Sequence, residues 1–380
     1  MSSLSGSFPS RTEHGLQELQ RRGDLLVRSA ADFRRLAAEQ GLEQAYRQTH
    51  VVVASNAEFS QQASLLLHLG PTDPPMRIQR FRLGEAEGHG GHGNTDLLLP
   101  IDQGGAQALQ GLLQGETLPF SASGSGGSQQ PRLELESRLS LAQIGAGRLL
   151  LHRGIGENGV VAISSQEGLT ATPWGPVLGP FTTGLYSCGG AGSIGLTMPQ
   201  LRFLGPGSPV LVAGAIGTVS GAGSGHNPTA RRDQRGFALS PGACCALEVD
   251  LHGLQPQWLR ATRLEGGGSG VLVAVAAPVP LLDAAGAQAA ARGDADLEAP
   301  VLDYGIPRRV RPSFGRVSYA QLHTGTLQLQ ERSLRCAPAH SPRLAAEIAA
   351  MLVAQLQAGL FPLRLPLQPL PQRPALLPLE

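Results

Sequence analysis

The apolar residues of this chain are gathered in runs too short for long buried helices. Val51-Val52-Val53-Ala54, Leu97-Leu98-Leu99, Leu149-Leu150-Leu151, Val160-Val161-Ala162-Ile163, Val210-Leu211-Val212-Ala213 and Val271 to Ala276 each hold three to six such residues. Runs of that length, rich in valine, suit buried strands. Arg132-Leu133-Glu134-Leu135-Glu136 alternates instead, as a half-exposed strand would. None approaches the roughly 18 to 20 apolar residues of a membrane-spanning helix, so no membrane is expected as a partner. Aromatic residues are only 4% of the chain, so Leu, Val, Ile and Ala must fill the core.

Helical spacing appears at the two ends. From Thr12 to about His50, leucines and alanines recur at steps of three and four, with Gly23 as a break and Ser29 as a cap for a second helix running toward Tyr46. Pro342 to Leu360 repeats the pattern and stops at Gly359. Phe361 to Glu380, rich in Pro and Leu, reads as an extended arm. A short helix is expected around Pro256 to Thr262, and the Ser/Gly stretch Ser121 to Gln130 reads as a flexible loop. The expected fold is therefore mixed, α/β or α+β, with a strand-rich centre and glycine-rich loops. We divide it into a helical segment 1–50, a substrate domain 51–310, and a C-terminal helix and tail 311–380.

Composition excludes more than it suggests. All 30 basic residues are arginine, which removes the lysine that a Schiff base, a pyridoxal-phosphate anchor or a phosphate loop requires. A net charge of +1 gives no field for nucleic acid. Cys188, Cys244, Cys245 and Cys336 show no zinc-like spacing. With a polar Met1 to Arg11 that lacks the pattern of an export signal, a cytoplasmic setting is expected. His89 and His92 lie in a glycine loop without further metal ligands nearby, and no cofactor-binding motif is recognisable.

Three places could carry chemistry. Ser55-Asn56-Ala57-Glu58 puts polar side chains at the end of the first apolar run, where sites gather in α/β proteins. The strand at Val210 leads into glycines at 214, 217, 221, 223 and 225, then His226-Asn227-Pro228 and Arg231-Arg232. That segment lacks a clean Gly-x-Gly-x-x-Gly opening a helix, so a tight glycine loop shaping a substrate pocket is the better reading than a dinucleotide site. Cys188 in Tyr186-Ser187-Cys188-Gly189-Gly190 is either an exposed reactive thiol or an inert buried one.

Gly214-Ala215-Ile216-Gly217-Thr218-Val219, closing on Gly225-His226-Asn227-Pro228, resembles the glycine motif of the homocysteine biosynthesis protein family. Pro256-Gln257-Trp258-Leu259-Arg260, Gly268-Ser269-Gly270, Pro278-Val279-Pro280-Leu281-Leu282 and Ala299-Pro300-Val301-Leu302-Asp303-Tyr304 before Pro307-Arg308-Arg309 follow in the family's order. Upstream, Val51-Val52-Val53 running to Leu69-Gly70 and Asp73-Pro74-Pro75 resembles its first block. The resemblance implies L-aspartate semialdehyde sulfurtransferase activity: sulfur held as a persulfide adds to the aldehyde carbon and reduction yields homocysteine. It also implies an external sulfur donor, an external reductant and an iron-sulfur protein as electron-donor partner.

The resemblance puts the substrate near Gly217 and Gly225, with His226 orienting or protonating the forming hydroxyl. Arg308 or Arg309 would hold a carboxylate, Asn227 and Asp303 would add hydrogen bonds, and Cys188 would carry sulfur. The family's usual first cysteine is replaced within Ser60-Gln61-Gln62-Ala63, and a second has no counterpart near Val160 to Ser164. Three outcomes follow: Cys188 takes over, free sulfide attacks directly, or the chain is a relative that binds without catalysing.

Overall fold

The computed structural model describes residues 8–91, 96–264, 269–329 and 331–374. His92 and Gly93 of the histidine loop, Gly268 of the Gly268-Ser269-Gly270 block, and the last residues of the tail lie outside the described residues. The fold is mixed, with a large sheet, a smaller one and helices at both ends of the chain.

Thr12 accepts a hydrogen bond from the Gly15 amide and opens the helix Glu13–Arg22, which Gly23 closes at φ +77°. Ser29 caps Ala30–Gln40 in the same way, accepting from the Asp32 amide. That second helix does not run on to Tyr46. Gly41, at φ +84°, ends it, and Leu42–Arg47 is a separate short helix.

The described residues form one sheet of 14 strands. The apolar run at Val51 is the start of a ten-residue strand, Val51–Ser60, because Ser269–Pro280 pairs antiparallel along its whole length, from Val271 opposite Ser60 to Pro280 opposite Val51. The order then continues through Pro209–Val212, Ala215–Ala222, Cys244–Asp250 and Ile144–Gly156 to Ala63–Leu69. Val51–Ser60 and Ala63–Leu69 are thus six inter-strand steps apart, about 29 Å in a flat sheet. Only Gln61 and Gln62 join them, a link of about 11 Å at most. The sheet must therefore curl until its sixth step returns to its first, and the Gln62 carbonyl accepts from the His152 amide, 2.9 Å, at the closure. Beyond it, Leu97–Pro100, Ala86–His89, Ile78–Leu83, Leu118–Gly124 and Glu134–Leu139 extend the sheet. Leu118–Gly124 includes the first part of the stretch read as a flexible loop, since its backbone pairs on both sides.

The glycine cluster is a hairpin. Val212 pairs with Ala215, so Ala213 (φ +44°) and Gly214 (φ +87°) form a two-residue turn that needs left-handed backbone at both positions. Gly217 lies within the strand Ala215–Ala222, where a Cβ would stand 2.7 Å from the Glu248 carbonyl. The segment Pro256 to Thr262 is one 3-10 turn, Pro256–Trp258, followed by the strand Leu259–Arg263.

A six-stranded sheet packs beside the first, in the order Ser313–Ser318, Glu298–Asp303, Val161–Ile163, Thr183–Tyr186, Arg332–Pro338 and Thr326–Leu329. Its core holds Val161, Ile163, Tyr186, Val301, Tyr319 and Leu334. The helix Pro342–Gln357 then crosses back to the large sheet and buries Leu344, Ile348, Leu352 and Leu356 against Val51, Val53 and Ala276. After Gly359 the arm lies on the body, with Phe361 and Leu363 buried and the Leu363 carbonyl accepting from Gln17.

Glu157, just past Ile144–Gly156, pairs with Arg232 of the loop between Ala215–Ala222 and Cys244–Asp250. The carboxylate is buried and takes both ends of the guanidinium, as well as the Gln200 and Ala243 amides at 2.8 and 3.0 Å. Arg232 is therefore committed to the scaffold and is no substrate cradle. Removing one partner leaves the other charge buried and unpaired. We expect Arg232→Met to lower unfolding free energy by about 3 to 5 kcal/mol, and urea unfolding followed by circular dichroism measures it.

Candidate functional site

Strand alternation places the polar residues of Val51–Ser60. Asn56, Glu58 and Ser60 share one face, because successive side chains point to opposite sides. The register sets Asn56 opposite Val275 and Glu58 opposite Val273, so the carboxyl lies against apolar surface. Leu151 and Arg153 come from Ile144–Gly156, and the second sheet closes the space with Asn158, Ser187, Tyr304 and Arg311. Trp174 reaches in from the turn between Gly168–Thr172 and Gly175–Gly179. Together with the link residues Gln61 and Gln62 these groups line a cavity of about 330 Å³.

Glu58 is the one acid among the lining residues. Burial pushes its carboxyl up to about 7, opposed by a hydrogen bond from Asn56 Nδ2, 2.6 Å, and by the positive charge of Arg153. Arg153 has no hydrogen bond or ion pair among the described residues. The Arg311 guanidinium stacks on the Tyr304 ring, 4.1 Å from its centre, and its Nε is buried without a partner. Trp174 also meets the Tyr304 ring edge-on, with ring centres 5.8 Å apart. Two cations without counter-ions and one carboxyl that titrates near neutrality can hold a small anion and pass it a proton. Among the described residues no group of His, Cys, Asp or Glu has the makings of a metal site.

Most residues singled out from the sequence lie elsewhere. His226, 1% exposed, has both ring nitrogens engaged with backbone: Nδ1 accepts from the Cys244 amide at 3.0 Å, and Nε2 donates to the Pro371 carbonyl at 2.8 Å. It pins the C-terminal arm. Asn227 is exposed and bonds Thr229. Gly225, φ +78°, sits behind Arg153, where a Cβ would come 3.1 Å from Nη1. Gly217 is inside a strand, as described. Arg308 and Arg309 are exposed and do not line this cavity, whereas Arg311 does. Asp303 is buried, and its Oδ1 accepts from the Ser165 and Gly305 amides, 3.1 and 2.8 Å, so it orders the turn that presents Tyr304.

Cys188, 3% exposed, sits behind the cavity wall, where burial and then the Glu58 carboxylate push its thiol up to about 12. The other three thiols are also buried and raised, Cys336 to about 12, Cys244 to about 11 and Cys245 well above its ordinary value. None lines the cavity, and none is a thiolate at neutral pH. Glu58 was within the polar run noted in the sequence, but Arg153 and Arg311 were not singled out. The available signal was a polar residue at every second position, Asn56, Glu58 and Ser60, inside a strand whose partner is all apolar.

A raised carboxyl pKa means that Glu58 is protonated below about 7 and adds negative charge to the cavity above it. We expect acetate affinity, measured calorimetrically, to fall as pH rises from about 6 to about 8 in the native protein and to stay flat in Glu58→Gln.

The family model for "homocysteine biosynthesis enzyme, sulfur-incorporation" matches residues 25–363. The chain is 26% identical over 377 residues to the L-aspartate semialdehyde sulfurtransferase of Methanocaldococcus jannaschii, covering 92% of this chain and 71% of that protein. It is also 26% identical over 369 residues to the enzyme of that name from Methanosarcina acetivorans, covering 95% and 72%. No solved structure matches the chain.

Proposed function

The chain belongs to the homocysteine biosynthesis enzyme, sulfur-incorporation family, and from that premise we propose that it adds sulfur to a small carboxylate-bearing aldehyde of the L-aspartate semialdehyde class in the cavity around Glu58. Arg153 and Arg311 hold the substrate carboxylate, and Glu58 stands where it can protonate the carbonyl oxygen. The observation that carries this reading is a pair of guanidiniums lining one cavity with a single carboxyl that burial raises to about 7.

The sulfur arrives as hydrosulfide rather than on a thiol of this chain. Its lone pair forms the C–S bond, the carbonyl π electrons move to oxygen, and Glu58 in its acid form gives that oxygen a proton. Loss of water leaves a thiocarbonyl. Two electrons and two protons from an external reductant then complete the thiol, which for aspartate semialdehyde is homocysteine. An iron-sulfur protein is the class of reductant that the family resemblance implies, and four unpaired cysteines suit a reducing, cytoplasmic compartment.

Purified protein given L-aspartate semialdehyde, sulfide and a low-potential reductant should form homocysteine, detected by mass spectrometry. Arg311→Gln should raise the aldehyde KM by about tenfold to a hundredfold, the loss expected for one charge-assisted bond. Cys188→Ala should still form homocysteine, because a buried protonated thiol is not a sulfur carrier, with any change in kcat reflecting the loss of its contact with Glu58. The missing cavity thiol also favours a second reading, a metabolite-binding relative without catalysis. Arginine-dependent aldehyde binding with no homocysteine from any sulfur source would establish that reading instead.

A further inference from the structure

A second cavity, of about 310 Å³, lies beside the first, and Asn56 and Glu58 line both. Its other walls are the starts of two helices, Ala30–Gln40 and Pro342–Gln357, and the glycine turn Gly189 to Gly192. The helix ends bring partial positive charge, and three of the side chains that line the cavity each hold one buried polar atom without a nitrogen or oxygen partner. Arg34 Nη1 is buried with no hydrogen bond, and Arg34 forms no ion pair among the described residues. His340, 9% exposed, has a buried Nδ1 with no partner. Ser193, 4% exposed, has an Oγ with no nitrogen or oxygen partner and sits beside the Cys188 thiol.

The turn is shaped to let Arg34 in. Gly192 adopts φ +93°, and a Cβ there would stand 3.1 Å from Arg34 Nη1. His340 is held next to Glu58 by backbone pairing, with Phe59 N donating to the Ala339 carbonyl at 3.1 Å and Ser341 N to the Ala57 carbonyl at 2.8 Å. Burial, with His323 adding to it, pushes the His340 imidazole down to about 4, so at neutral pH it is an uncharged hydrogen-bonding group. Buried polar atoms left open in this way destabilise the fold unless something occupies them. An anion satisfies Arg34, Ser193 and the helix starts together.

We propose that this second cavity binds the sulfur nucleophile as a small anion of the hydrosulfide class, held by Arg34, Ser193 and His340 across the Asn56–Glu58 wall from the aldehyde. The anion site stands on its own geometry, while its sulfur chemistry rests on the function proposed above. It would hold the nucleophile one wall away from the first cavity, which no thiol lines.

The test is anaerobic calorimetric titration of sodium hydrosulfide into the native protein, Arg34→Gln, Ala346→Glu and Ala346→Gln. Ala346 is exposed at the cavity rim, so its variants change the charge at the mouth without disturbing the core. Affinity should weaken by at least about tenfold in Arg34→Gln and in Ala346→Glu and hold in Ala346→Gln, the loss of one charge-assisted bond or the gain of one repulsion. In the homocysteine assay the same two variants should raise the sulfide KM and leave the aldehyde KM unchanged. Undetectable hydrosulfide binding, or equal affinity in all four proteins, overturns the inference. Homocysteine formation with a sulfide KM insensitive to both variants overturns it while the proposed function stands. Hydrosulfide binding that depends on Arg34, with no homocysteine formed, sustains the anion site and removes the proposed function.

Discussion

Two residues, Gln61 and Gln62, set the geometry on which everything else rests. They join strands that stand six steps apart in the sheet, and so short a link can only be satisfied by a sheet that curls back on itself. The curl brings Glu58, near the end of one strand, toward Arg153, near the end of another, though the two are 95 positions apart in the chain. The smaller sheet then caps the opening with Tyr304 and Arg311. A flat sheet of the same strands would leave these groups apart and in water, where Glu58 would titrate as an ordinary carboxylate.

Some buried polar groups in this protein are fully satisfied by hydrogen bonds and others are left open. Glu157 with Arg232, Asn158 with Tyr319 and two backbone carbonyls, and His226 between Cys244 and Pro371 have partners at every strong site. Such networks fix the relation between sheets and arm. Arg311 Nε, Arg34 Nη1 and His340 Nδ1 have none and belong to residues that line a cavity, whereas other open atoms, among them Asp303 Oδ2 and Thr49 Oγ1, belong to residues that line neither cavity. The desolvation cost of an open donor is carried by the surrounding packing, and a ligand that arrives recovers it. Glu58 belongs to both cavities, which makes it the group through which the two can act on one another.

The local signals were read well where one residue sufficed. Ser29 caps its helix and Gly23 ends one because those roles depend on a single side chain or a single φ. The described part of the arm after Gly359 has no helix, as read from its prolines, and the structure lays it on the body. Readings failed where a partner strand decided the matter. Ser55 to Glu58 looked like a strand end, yet the pairing with Ser269–Pro280 carries the strand on to Ser60. The glycines from 214 to 225 looked like a pocket loop, yet the register Val212 to Ala215 makes them a hairpin and the close-packed strand behind it.

By itself, then, the sequence determined the mixed fold class, the helical ends, the exclusion of lysine chemistry and the family to which the chain belongs. Those follow from residue type, from local periodicity and from blocks kept in order, none of which needs distant contacts. Only the tertiary structure decided which charged residues act together. His226, Arg232 and Asp303 look like reactive groups in a linear reading and are consumed by the scaffold, while Glu58, Arg153 and Arg311 look ordinary and meet at a cavity. The physical reason is that a side chain's chemistry is set by its desolvation and its partners, and both depend on which chain segments the fold packs around it, many of them distant in sequence.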